Sequence, residues 1–180
     1  MSSEELHELH EHAEHAAHDP NLAPVSLTMA VLAVLVASVS LMGHRTHTEE
    51  ILLQTKAADQ WAYYQSKNIR RNTDEVFADL SSVIAAKDAA AMAKFHDKYQ
   101  AEADKQHEEQ KKLEEEARKL ETEGEQTRRR ADRFDLAEVF MEIALVVTSI
   151  TLLSKKRAFW YAGIVLSAVG IAAAVSAWVV

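Results

Sequence analysis

Cysteine is absent from the chain, which excludes disulfide frameworks, thiolate metal sites and cysteine nucleophiles. Proline occurs twice and glycine four times in 180 residues. With so few breakers, long helices and few turns are expected in a chain sized for one architectural unit. A basic excess is also missing: the net charge is -8, which argues against neutralising nucleic-acid phosphates. There is no G-x-x-x-x-G-K-[ST] loop, H-E-x-x-H helix or G-x-S-x-G elbow, so neither catalysis nor a cofactor is expected.

The charge that is present is unevenly laid out. Residues 1–24 hold six acids (Glu4, Glu5, Glu8, Glu11, Glu14, Asp19) and no Lys or Arg, whereas residues 44–133 carry 17 basic and 19 acidic side chains. Apolar runs flank that polar middle. Pro24–Met42 has no charge and approaches the roughly 17–25 residues that a spanning helix needs. A cleaved signal peptide would want a basic start, and this one is acidic and His-rich, so an uncleaved anchor is expected. Phe134–Leu153 and Phe159–Val180 form a second and a third run, separated by "SKKRA" as a tight transmembrane hairpin. Phe159, Trp160, Tyr161 and Trp178 suit interfacial anchors.

The polar middle, residues 43–133, reads as a helical hairpin. Ile51, Thr55, Ala58, Ala62, Gln65, Ile69, Asn72 and Val76 recur in 4-3 steps. So do Tyr99, Ala103, Gln106, Gln110, Leu113, Ala117, Leu120, Gly124, Thr127, Ala131 and Phe134. This alternation is a coiled-coil seam, polar in places. Asp88 is a candidate N-cap, which puts the turn near residue 87 and leaves two arms of about 65 Å each at 1.5 Å per residue. Matched arms return the chain to the same membrane face. Thr46 and Glu49 have capping-box spacing, which predicts a kink after the first span. The expected fold is therefore all-α: three transmembrane helices, with a long antiparallel hairpin outside the bilayer between the first and second.

Trp61, Tyr63, Tyr64 and Gln65 lie too far past Met42 for a membrane belt, about 28 Å along an upright helix at Trp61. An antiparallel register sets Trp61 opposite Leu113 or Glu114 and Tyr64 opposite Lys111, as packing anchors or a contact between protomers rather than a ligand platform. The stretch "ILLQTKAADQWAYYQSKNIR", with "KKRAFWYAGIVLSAVGI" further on and the "HEHAEHA" tail, resembles the bacterial membrane family called domain of unknown function 4337. The resemblance covers most of the chain but little of Ile84–Thr127. It implies an architecture and no activity.

Three further constellations bear on function. His7, His10, His12, His15 and His18 in the acidic tail suit Zn, Ni or Cu, but the tail encloses no site, so weak metal affinity and a charge that shifts near pH 6 are the plain expectation. Stoichiometric metal uptake lost on deleting residues 1–20 would mark a metal-buffering module instead. Glu138 and Glu142 follow Asp132 and Asp135 on one face of span two, either as an ion path or as interfacial carboxylates that snorkel or pair with Arg45. Gly163, Ser167, Gly170 and Ala174 form a small-residue stripe on span three, for packing within one protomer or between copies. Arg and Lys are more numerous at the hairpin side (Arg45, Lys56, Arg118, Lys119, Arg128, Arg129, Arg130, Arg133) than in the opposite loop (Lys155, Lys156, Arg157). That count favours a cytoplasmic hairpin, although the short "KKR" loop is itself a cytoplasmic signal. A non-catalytic scaffold, spacer or adaptor in a bacterial inner membrane is the leading expectation, as a homo-oligomer with the lipid bilayer as partner; a proton or cation pore is the alternative.

Overall fold

The computed structural model describes residues 22–85 and 87–179. Among them are three α-helices and no strand: α1 (Ala23–Val83), α2 (Ala89–Ser154) and α3 (Arg157–Ser176). Each is long and apolar enough to cross a membrane, which points to a membrane protein. Pro24 falls in the first turn of α1, where its missing N–H is no loss, and no later proline interrupts the chain. The expected kink after span one is absent. α1 runs unbroken through Gly43–Glu50, and the Thr46 hydroxyl donates back to the Met42 carbonyl at 2.9 Å instead of capping a new start. α2 opens on Asp88, whose Oδ1 accepts the Ala91 N–H at 3.0 Å. It closes at Lys155, held at φ 53°, a left-handed conformation that costs a residue with a Cβ about 1–2 kcal/mol.

The chain divides into two compact units. The first takes the chain up to Glu49 and from Gln126 onward. Here α1 buries Val25, Met29, Leu32, Val36 and Val39 in alternating steps of four and three. Val36 and Val39 pack with Phe134, Ala137, Met141 and Ala177; Val25, Met29 and Leu32 pack with Leu145 and half-buried Trp160. The Trp160 indole donates to Thr28 Oγ1 at 3.2 Å. α3 meets α2 through its glycines. A Cβ on Gly163 would collide with Thr148 Oγ1 and stand 3.0 Å from the Ala144 carbonyl; one on Gly170 would reach Met141 Cγ at 2.8 Å. Leu27, Val34, Val146, Leu153 and Val165 remain exposed around this unit.

The second unit, Glu50–Glu125, is formed by the rest of α1 and α2. α2 buries Ala103, Gln106, Gln110, Leu113, Ala117 and Gly124, on the expected heptad series. α1 does not. The series from Ile51 to Val76 is exposed at every position, with Ile51, Ile69 and Val76 at 62%, 67% and 62%. The face turned to α2 carries Leu53, Ala57, Gln60, Tyr64, Lys67, Arg71, Asp74, Ala78 and Ser81, of which Ala57, Ala78 and Ser81 are buried. Both series have the same 4-3 spacing two residues out of phase, so about 200° of helix separates them. Cross-helix polar partners mark the inward one: Gln60 donates to Glu116, Lys67 to Glu109 and Arg71 to Gln110.

The glycines support opposite outcomes. Gly124 has room, its added Cβ falling 3.7 Å from Leu53, so Gly124→Ala is expected to stabilise α2 by about 0.5–1 kcal/mol. Gly163→Ala is expected to cost about 1–3 kcal/mol through overpacking against Thr148 and Ala144. Circular-dichroism melts in detergent check both, and shifts of the same sign would contradict this account of the α2–α3 contact.

Candidate functional site

In the second unit, the groups with chemical potential line the seam between α1 and α2. Trp61 is half-buried and its indole Nε1 donates to Glu121 Oε1 at 2.8 Å. The Arg118 guanidinium lies over the same ring at 5.9 Å, and Tyr64 meets it edge-on with centroids 5.5 Å apart. Trp61 thus finds its polar partner about two turns beyond Leu113 and Glu114, the residues expected opposite it. A long indole on a helix reaches along the partner as well as across it. Tyr63 is exposed, with Lys67 Nζ 5.4 Å from its ring centroid, and Gln65 is exposed on the far face of the helix. Tyr64 is the half-buried tyrosine of the pair.

Lys67 and Glu109 make the closest ion pair of the seam, with Arg71 Nη1 donating to Gln110 Oε1 at 3.0 Å one turn on. The hydrogen bond between Lys67 and Glu109 holds the carboxyl below its ordinary value and pushes the ammonium above its own, with partial burial opposing both. Nearer the turn, Phe77, Leu80, Ile84, Met92 and Phe95 line an apolar cavity of about 510 Å³, bordered by Asp88. It has few convergent polar groups of the kind that orient a small ligand.

In the first unit, Glu138 and Glu142 are half-buried one turn apart on α2, while Asp132 and Asp135 are exposed. Asp135 pairs with His47 Nε2 at 3.0 Å. Among the described residues neither Glu138 nor Glu142 has an ion pair, so Arg45 does not serve as the partner of Glu142. Arg45 instead borders a cavity of about 410 Å³ with Met42, Arg130, Phe134 and Trp178. Gly163, Ser167 and Gly170 are buried, and Ala174 is half-buried against the cluster around Met141. His7, His10, His12, His15 and His18 lie outside the described residues. Among those described, no group of three or more His, Asp or Glu is placed to hold a metal ion.

What sequence reasoning missed is the polar content of the seam: Lys67 and Arg71 read as solvent-facing when only hydrophobicity is counted. The available signal was pairing across the turn, since Lys67 and Arg71 have acidic or amide residues at matching distances on α2.

Residues 21–180 match the family described as Domain of unknown function (DUF4337), and the chain belongs to that family. No curated protein and no solved structure matches it.

The Lys67–Glu109 pair has a defined pH window. Because the Glu109 carboxyl is held low, its contribution is present above the ordinary carboxylate value and is lost as pH falls through the folded value. Because Lys67 is pushed up, its contribution is present below the ordinary ammonium value and is lost as pH rises through the folded one. Glu109→Gln is therefore expected to lower the unfolding midpoint at neutral pH, with its difference from the parent shrinking as pH falls through the folded carboxyl value. A difference independent of pH would show that the pair contributes by packing rather than by charge.

Proposed function

We propose that this member of the family is a non-catalytic integral membrane protein that carries a helical hairpin outside the bilayer, as a scaffold, spacer or adaptor, and that it works as a homo-oligomer in a bacterial inner membrane. The division of the chain carries this reading. All three apolar runs fall in one unit, whereas Glu50–Glu125 forms another with 12 basic and 17 acidic side chains. The first unit exposes Leu27, Val34, Val146 and Val165, which hydrocarbon tolerates and water does not. The second would leave its ammonium and carboxylate groups unsolvated in hydrocarbon. Placing the bundle in the bilayer and the coiled-coil-like hairpin in water satisfies both.

The basic residues flanking the hairpin, Arg45 and the run Arg128, Arg129, Arg130 and Arg133, favour a cytoplasmic hairpin. The half-buried Glu138 and Glu142, without an ion pair among the described residues, support a second reading as a proton or cation path. A scaffold needs no flux through them.

Two measurements separate these readings. The chain has no cysteine, so Ser3→Cys and Ser82→Cys each introduce a unique thiol for a membrane-impermeant maleimide. Labelling of intact cells is expected at position 3, and at 82 only after permeabilisation. Labelling at 82 alone in intact cells would reverse the orientation, and none at 82 after permeabilisation would remove the extramembrane hairpin. Reconstituted protein is expected to pass no protons or cations, with or without Glu142→Ala; flux abolished by that substitution would establish the pore instead.

A further inference from the structure

Within the hairpin, α1 has two heptad-spaced faces and the chain uses only one. The inward face meets α2. The outward face, Ile51, Thr55, Ala58, Ala62, Gln65, Ile69, Asn72 and Val76, is exposed along its length and lies diametrically opposite. None of its eight positions is charged, although charged side chains are abundant in this unit. The outward face of α2 shows what a solvated helix looks like here, with Glu108, Lys111, Lys112, Glu115 and Lys119 all exposed. An uncharged line kept in strict 4-3 register over 26 residues, Ile51 to Val76, has the pattern of a helix that meets another helix.

We propose that this face of α1 docks a second copy of the chain, parallel and in register, so that each residue of the stripe meets its own counterpart. The inference rests on the membrane-anchored hairpin proposed above and names its partner. Copies inserted the same way in one bilayer are related by an axis along the membrane normal, which sets equivalent helices parallel and equivalent residues level. The stripe suits that geometry. Gln65 and Asn72 each carry a donor and an acceptor, so an amide facing its own copy satisfies both halves, as a charged residue facing itself cannot. Ile51, Thr55, Ile69 and Val76 add β-branched side chains that suit a helix–helix seam, and Ala58 and Ala62 permit close approach.

The flanks agree. In a parallel pair, the residue just before one stripe position faces the residue just after the next position on the other helix. That sets Gln54 beside Asp59, Trp61 beside Ser66, Asn68 beside Thr73 and Glu75 beside Leu80, with no like charges opposed.

The experiment uses the full-length protein in its own membranes. Ile69→Cys and Asn72→Cys lie on the stripe; Arg70→Cys is exposed about 100° around the helix from Ile69. Under mild oxidation the two stripe variants are expected to give a disulfide-linked species of twice the chain mass, and Arg70→Cys a monomer. Adding Ile51→Lys and Val76→Lys is expected to weaken the association by about tenfold or more through buried like charges, with the helical circular-dichroism signal unchanged because both positions are exposed. Monomers at 69 and 72, equal cross-linking at 70, or an adduct of some mass other than twice the chain would each overturn the contact. Position 82 tells that failure from one of the parent reading: a thiol there that labels in permeabilised cells while 69 and 72 stay monomeric removes only the dimer face, whereas a thiol that never labels removes the extramembrane hairpin itself.

Discussion

In the bilayer proposed for the first unit, hydrocarbon gives apolar side chains no reason to leave it, so helices that present Leu27, Val34, Val146 and Val165 outward would be held by closeness of approach rather than by escape from solvent. The arrangement of the first unit follows from that constraint. Gly163 and Gly170 let α3 lie against the backbone of α2, where Thr148 and Met141 fill the space their missing Cβ atoms leave. Ser167 sits between them on the same buried face. The Thr148 hydroxyl returns to the Ala144 carbonyl at 2.7 Å and so needs no partner beyond its own helix. Thr28 and Trp160 supply one polar link between α1 and α3. Contact area and a few internally satisfied hydroxyls do here what a large apolar core does in a soluble domain.

Different physics governs the second unit. Its seam is thin, with alanines, glutamines and a glycine where a stable two-helix core would carry leucine and isoleucine. Half-exposed ion pairs such as Lys67–Glu109 contribute little net stability each. Their value lies in register. Gln60 with Glu116, Lys67 with Glu109 and Arg71 with Gln110 tie α1 to α2 at successive levels, and a slip by one turn breaks all of them at once. Trp61 adds a half-buried aromatic surface, anchored at its polar edge by Glu121.

The three apolar helices were legible because absence of charge over about twenty residues is a signal that little else imitates. The α2 series was legible for a similar reason: only one heptad phase along that helix avoids charge, and the residues from Ala103 to Phe134 occupy it. On α1 the same rule led to the wrong face. Its cleanest uncharged series points outward, while the inward one contains Lys67, Arg71 and Asp74. Hydrophobic pattern shows that a face is fit for contact without showing which contact, and polar pairing across the turn carried the missing information. The left-handed Lys155 was hidden as well, since nothing in "SKKRA" offers the glycine that normally marks such a residue.

The turn between α1 and α2 is specified by very little sequence. Around it the sequence runs Val83-Ile84-Ala85-Ala86-Lys87-Asp88-Ala89-Ala90-Ala91, without a glycine or proline and with alanine, the best helix former, at five of nine positions. A straight helix is therefore the near competitor of the bend, and the Asp88 carboxylate on the Ala91 N–H is the local interaction that favours stopping and restarting. Straightened, the chain would hold its first and second apolar runs about 140 Å apart at 1.5 Å per residue of helix, far more than the thickness of a bilayer, so one capped turn decides whether a single membrane could take both.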